Sequence, residues 1–475
     1  MTPSYAALFR APHTALMVAA LGATFLGSLD ALMVTTALPS AAQDIGGVDL
    51  IAVTVGATTV AVAMTFPLAG AVIDREGVGR SFAVACTLFA VANVLGGLAP
   101  SMPVVAVSRA ILGLGAGFMF AVPLGLFAVS IPDELRPRAF GINAAMWGVS
   151  ALIGPALGAA LTATVGWRWV FWINLPLIAI VAWSATRALR GIHPRERRAA
   201  HDARLNIVGP ALLGLVVAVL LMLTKHWLSP FLLAPLAVVP AVAFYLHERR
   251  TAAPVFTHTA NSIAANLAAF GAGVAFLGAE TYLPLQIQVG FGDGVRVVGA
   301  ALLLCTLGWT TGSMTAARVA AKPKNQIALG TTLTVAATFV MAIPAGGAAV
   351  PIAAYTLSGL GMGIASPALF AAVLADGAEG REGQSTSSIP LARQVGSGMG
   401  AAVAGIVFAA TLTSAQVSAA ERAGAHVPAV IDAARLTYLA AAAVGLCGVA
   451  ACLWLRGDGR TARAERAIAE PEAVA

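Results

Sequence analysis

Asp30, Arg109, Glu280 and Arg393 stand inside long apolar runs, where a charge is costly and needs a function or a partner. Asp30 lies deep in the run 16–38. A lone carboxylate facing lipid is expensive, so this one faces the protein interior or a water-filled cavity, where it can load and release a proton. That chemistry suits the exchange of protons against a cargo. The competing reading is a structural acid hydrogen-bonded to Thr35, Thr36 or a neighbouring helix. Arg109 lies in the run 103–127. A guanidinium stays ionised there and needs a carboxylate or carbonyl partner. Asp30 can be that partner, directly or through water, in either a coupling or a purely structural role. Glu280 lies in the run 260–284 and is followed by Tyr282, Pro284, Gln286 and Gln288. A carboxylate beside an aromatic ring attracts a cationic ligand or serves as a second proton site; otherwise it belongs to an outer mouth already in water. Arg393 and Gln394 stand early in the run 387–412, where Arg393 snorkels to the near face or shapes an inner vestibule. A structural role is the favoured reading for Arg393.

Soft and aromatic side chains accompany these charges. Phe118, Met119, Phe120, Met146, Trp147, Phe276, Tyr282 and Met314 are the candidates for an adaptable apolar substrate cavity. Trp167, Trp169 and Trp172 sit at a run boundary and read as interfacial anchors. The seven histidines form no ligand cluster, and Cys86, Cys305, Cys447 and Cys452 all fall inside apolar runs. Neither pattern suits a metal site or a disulfide framework.

The elements that must hold these residues follow from composition. Of 475 residues 59% are hydrophobic and only 10% charged, with a mean hydropathy of +0.86. A soluble domain carries about 25% charged residues, so several soluble globules are excluded. Fourteen candidate spans run along the chain, at 14–38, 50–71, 81–99, 103–127, 141–163, 168–186, 206–224, 229–246, 260–284, 295–316, 327–345, 349–374, 387–412 and 433–455. Each is near the ~20 residues that cross a hydrocarbon layer of ~30 Å. The runs are continuous rather than alternating, which excludes a β-barrel. The first run is too long for a cleavable signal peptide and reads as the first span.

Charge orients the spans. The net charge of +7 and pI near 9.7 come from basic residues gathered in the even-numbered connections and the two tails: Arg75 and Arg80, Arg136 and Arg138, the cluster from Arg187 to Arg204, Arg249 and Arg250, Arg318 to Lys324, and the C-terminal arginines. This bias puts both termini and those connections in the cytoplasm, and it accounts for the basic pI without nucleic acid.

Five local sequences now fall into place. Gly70-Ala-Val-Ile-Asp74-Arg75-Glu-Gly77-Val-Gly79-Arg80 resembles the signature between helices two and three of the major facilitator superfamily. Arg109 with Gly113, Gly115 and Gly117 resembles its fourth-helix arginine motif. Gly148, then Gly154-Pro155-Ala-Leu-Gly158, resembles the antiporter motif of helix five, with Ala159 in place of a closing glycine. Leu29-Asp30 with Ala37-Leu38-Pro39, and Trp167-Arg168-Trp169-Val-Phe-Trp-Ile-Asn174-Leu-Pro176, resemble the fourteen-span drug:proton antiporter family of EmrB/QacA type, where an asparagine usually stands near Thr35.

The resemblance implies an all-α polytopic membrane protein with fourteen transmembrane helices: two six-helix bundles, at 1–190 and 251–458, a cytoplasmic linker with two inserted helices at 191–250, and a cytoplasmic tail at 459–475. It also implies gating by Gly70, Asp74, Arg75, Gly77 and Arg80, and sealing of one bundle against the other by Gly148, Gly154, Pro155 and Gly158. A plain turn and ordinary tight packing remain the competing readings of these two motifs. Proton coupling falls to Asp30, Arg109 and Glu280.

The expected function is proton-coupled efflux of amphipathic or cationic drugs by alternating access, from a bacterial cytoplasmic membrane, by a monomer in contact with lipid. The energy source is the proton gradient, with no cofactor and no enzymatic reaction. No nucleotide-binding Walker motif is present. The alternatives are an exporter dedicated to one antibiotic, metabolite or lipid precursor, a proton symporter, and a non-transporting scaffold, which would tolerate loss of Asp30 and Arg109.

Overall fold

The computed structural model describes residues 5–10, 13–47, 50–189, 206–223, 230–251, 254–319, 322–343, 347–377, 381–411 and 428–455. The expected cytoplasmic linker at 191–205, with His193 and His201, and the tail at 459–475 lie outside them. The protein is all-helical and polytopic. In chain order the helices are α1 (His13–Ile45), α2 (Ile51–Glu76), α3 (Val78–Gly97), α4 (Met102–Ser130), α5 (Arg136–Thr164), α6 (Asn174–Leu189), α7 (Val208–Leu223), α8 (Pro230–Arg250), α9 (Ala260–Leu285), α10 (Val295–Ala316), α11 (Pro323–Met341), α12 (Ala349–Asp376), α13 (Glu382–Thr411) and α14 (Pro428–Ala451). A single turn, Trp169–Trp172, leads into α6. Eleven helices among the described residues are long and apolar enough to cross a membrane, whereas α7 is apolar but short.

Helices are what such a sequence must form, because hydrocarbon offers no partner to an unpaired backbone N–H or C=O. Pro39, Pro67, Pro123, Pro155, Pro284, Pro367 and Pro390 lie inside helices. Pro39, expected near the end of the first span, is passed without a break, and α1 continues to Ile45. Downstream of Pro284, α9 widens into a π-type turn at Gln286–Gly290. There Gln286 is buried and accepts a hydrogen bond from the Tyr438 hydroxyl of α14 at 2.7 Å.

The helices before α7 and those after α8 meet near the end of the molecule that carries the α2–α3 connection. There Phe140 of α5 stacks on Phe370 of α12 at 4.8 Å. Gly141 of α5 approaches Ser313 and Ala317 of α10, and Gly148, nearly two turns further along, approaches Thr310. α7 lies along the seam: its Gly214 touches Met64 of α2, and its Val216 and Leu220 pack with Ala402 of α13. Large apolar side chains left exposed, such as Val91, Ile180, Val239 and Leu446, form the surface a lipid environment requires.

Candidate functional site

Asp30 is fully buried in α1, and four helices converge on it. Arg109 Nη1 of α4 donates to Oδ2 at 2.6 Å. Asn174 Nδ2 of α6 donates to Oδ1 at 2.7 Å and also to Asn93 Oδ1 of α3 at 2.9 Å. Asn93 in turn bonds the Phe89 carbonyl at 2.8 Å. The two charges therefore neutralise each other directly, out of water. Thr35 and Thr36 are not partners of Asp30; their hydroxyls turn back to the carbonyls of Ala31 and Met33 in the same helix. The glycines after Arg109 let α4 sit close enough to hold this geometry. An added Cβ at Gly113 would stand 2.5 Å from the Thr58 carbonyl, and one at Gly117 the same distance from Thr65 Cβ. Asn93 and Asn174 were missed as members of the site. Asn93 carried no signal beyond being an amide in an apolar run, while Asn174 was visible in the Trp167–Pro176 motif without a partner to give it a role.

The glycine motif of α5 divides between two neighbours. Gly148 faces Thr310 of α10, across the seam. Gly154 and Gly158 instead pack on α1 beside and beyond Asp30: Gly154 against the Leu29 carbonyl and Leu32, Gly158 against Thr36 and the Met33 carbonyl. The same α1–α5 contact carries a buried polar stripe, with Thr24 donating to Asn143 at 2.6 Å and Ser28 bonded to Ser150 at 2.6 Å. At Gly158 a Cβ would fall 2.5 Å from the Met33 carbonyl. Gly158→Val is therefore expected to push α5 off α1 and cost about 1–3 kcal/mol. A thermal-unfolding shift of the purified protein, compared with Ala159→Val, checks this.

A second carboxylate reaches from the end of α2 to another helix. Asp74 is buried, and its Oδ1 and Oδ2 accept the backbone N–H groups of Gly383 and Gln384 at 2.7 and 2.8 Å. These are in the first turn of α13, where unpaired N–H groups and the helix dipole favour a negative charge. The approach is close on both sides: a Cβ at Gly70 would meet the Gly383 carbonyl at 2.5 Å, and one at Gly383 the Gly70 carbonyl at 2.6 Å. Gly77, at φ 88°, ends α2 and turns the chain into α3. Arg80 is exposed and pairs with Glu76 at 2.8 Å, while Arg75 is half-buried at the same turn.

In the later helices Glu280 of α9 faces the Tyr355 hydroxyl of α12, with the Cys305 thiol of α10 in the same group. Phe276, one turn before Glu280, is buried between Trp309 (centroids 5.6 Å apart, edge to face) and Tyr355 (5.3 Å, stacked). Arg393 lies over the Trp309 ring at 5.3 Å. It stands in the interior of α13, its backbone held on Gly273 of α9, and so does not snorkel to a near face.

The expected cavity residues separate accordingly. Trp147 is 41% exposed and tilts against Phe120 at 5.2 Å, which stacks on Phe66 at 6.4 Å. Met146 and Met314 are half-buried. Phe118 and Met119 instead point into the apolar core of the early helices, Met119 with no exposure at all, because neighbouring residues of one helix face in different directions. Tyr282 stacks on Phe408 of α13 at 4.2 Å. Trp167 is not an interfacial anchor but buried, its indole N–H donating to Asp44 at 3.0 Å. Arg168 shares that carboxylate at 2.9 Å.

Comparison with known proteins agrees with this architecture. The family model described as "Major Facilitator Superfamily" matches residues 20–401. "Multidrug resistance protein 3" of Bacillus subtilis (strain 168) is 26% identical over 296 residues, which cover 61% of this chain and 58% of that protein. The chain thus spans less than two thirds of the length of that relative. "Multidrug transporter protein MdtP" of the same organism is 25% identical over 435 residues, covering 83% of this chain and 75% of the relative. A crystal structure of the human organic anion transporter MFSD10 (TETRAN) superposes with a TM-score of 0.67 at 17% identity, covering 92% of this chain and 100% of that one, a likeness of fold.

Proposed function

The chain belongs to the major facilitator superfamily, and on that footing we propose that it is a proton-coupled efflux antiporter, of the fourteen-span drug:proton type, exporting amphipathic or cationic compounds. The observation that carries this reading is the buried Asp30–Arg109 pair tied to Asn174 and Asn93. A proton on Asp30 removes the charge that Arg109 answers, so the bond from α4 to α1 weakens on loading and returns on release. The work of the gradient is spent on that change in helix–helix affinity.

α1–α6 form one rocking bundle and α9–α14 the other, with α7 and α8 inserted between them. Asp74 on the α13 N-terminus closes the cytoplasmic end, and its release accompanies opening. The cargo sits between Phe120 and Trp147 on one side, backed by Phe66, and Trp309 on the other, backed by Phe276 and Tyr355, where aromatic faces accept flat or cationic molecules and Glu280 answers a positive charge. Relatives described as multidrug transporters support the same reading.

The test is ethidium uptake into inverted vesicles under an imposed proton gradient, at matched amounts of folded protein. Wild type is expected to accumulate ethidium in a manner an uncoupler abolishes, and Asp30→Asn to lose that accumulation. Undiminished accumulation in Asp30→Asn would remove Asp30 from the coupling step. No ethidium movement by folded wild type would remove the broad cationic cargo.

A further inference from the structure

Arg109 and Arg393 are both arginines inside helices that lie within the membrane, yet the structure treats them oppositely. Arg109 is buried against a carboxylate. Arg393 is half-buried and has no acid and no hydrogen-bond acceptor within reach among the described residues; among them its guanidinium meets the Trp309 face. A guanidinium does not lose its charge to escape this situation. Its five N–H donors are left to water or to a ligand.

The setting is that of a binding group. Arg393 is fixed in place, because α13 and α9 approach through small residues: a Cβ at Gly273 would stand 2.5 Å from the Arg393 carbonyl, and one at Gly396 would collide with the Phe270 carbonyl. Trp309 supplies an aromatic face beside the guanidinium, backed by Phe276, which meets it edge-on, and by Tyr355 stacked on Phe276 in the core behind. Glu280 lies seven residues beyond Gly273 on α9, about 10 Å at 1.5 Å per residue, and faces Tyr355 rather than Arg393. The half-buried groups along this stretch are therefore a cation at one end, the Trp309 ring beside it, and a carboxylic acid at the other.

We propose that Arg393 binds an acidic group of the cargo, so that the compounds this protein prefers are aromatic acids, including amphoteric ones whose amine is turned toward Glu280. The inference rests on the transport reading above and narrows its cargo class. A planar guanidinium pairs a carboxylate through two parallel hydrogen bonds, a geometry that a neutral ester cannot reproduce with the same strength.

The probes are a rhodamine bearing a free carboxylate and its methyl ester, otherwise identical. Binding is read by fluorescence anisotropy on the full chain in lipid nanodiscs without a gradient, so the result does not depend on proton coupling. Wild type is expected to bind the acid at least about tenfold more tightly than the ester. Arg393→Gln should lower the affinity for the acid to that for the ester, and Arg393→Lys should keep part of the difference. Equal affinity for acid and ester in wild type, or no binding of either, overturns the proposal. So does an equal loss for both dyes in Arg393→Gln with Arg393→Lys normal, because that marks a structural charge. Gradient-driven uptake of the acid dye by the same preparations reports separately on the antiport reading: acid-selective binding without coupled uptake of that dye would count against proton coupling and not against the acid-binding role of Arg393.

Discussion

Arg109→Met, with Asp30 left in place, is expected to cost about 3–5 kcal/mol of stability, because it strands a carboxylate with no exposure at the centre of four helices. Asp30→Asn alone strands the opposite charge and is expected to be costly as well. The double variant Asp30→Asn/Arg109→Met leaves neither charge behind and is expected to recover most of the loss, since replacing a whole buried pair is often close to neutral. Denaturant titration of the four proteins in detergent, treated as a double-mutant cycle, measures the coupling between the two positions. The pair is falsified if Arg109→Met falls within about 0.5 kcal/mol of wild type, the scatter of an ordinary surface change. Transport should not follow stability: the double variant folds yet has no carboxylate at position 30, and gradient-driven uptake is expected to stay lost.

Asp74→Ala has its largest expected effect on conformation. It removes two hydrogen bonds between an ionised carboxylate and backbone N–H groups, each worth about 1.5–3 kcal/mol when intact, partly offset because the α13 N-terminus is then hydrated. A net loss of about 1.4 kcal/mol already changes the closed-to-open ratio tenfold. Nitroxide labels at Arg80 and Val319, both on the exposed surface at this end of the molecule, are expected to show a longer and broader distance distribution in Asp74→Ala. Asp74→Asn should fall between, since an amide keeps one acceptor and turns a donor toward the second N–H. An unchanged distribution in both variants would mean that the apolar contacts, such as Phe140 on Phe370, hold this end without Asp74.

Much of the fold was legible in the sequence, because hydrocarbon leaves the backbone little choice. Fourteen apolar runs became fourteen helices among the described residues, with ends displaced by a few residues and α1 extended past Pro39. The identity of partners was less legible. Asp30 and Arg109 stood out as charges in apolar runs, and one pairing was open to them. Asn93 did not stand out, because a neutral amide carries no such penalty and its role depends on which face of α3 meets α6. The misplacement of Met119 and Phe118 has the same origin: composition says that a helix is apolar, and only packing says which side meets the core. Arg393 was read as lying near a membrane face because α13 was expected to begin at about 387. The helix starts at Glu382, so that residue sits three turns inside it.

The contact at Asp74 also bears on how such a protein can vary over generations. At residues 383 and 384 its carboxylate is met by peptide N–H groups, so that part of the contact survives almost any side chain at Gln384, provided the turn still begins there. Selection at those two positions acts through backbone course and through the absence of bulk at Gly383. Covariation between the two positions should accordingly be weak. A genetic search for suppressors of Asp74→Ala should return no reciprocal exchange at 383 or 384, and instead changes elsewhere that favour the closed arrangement.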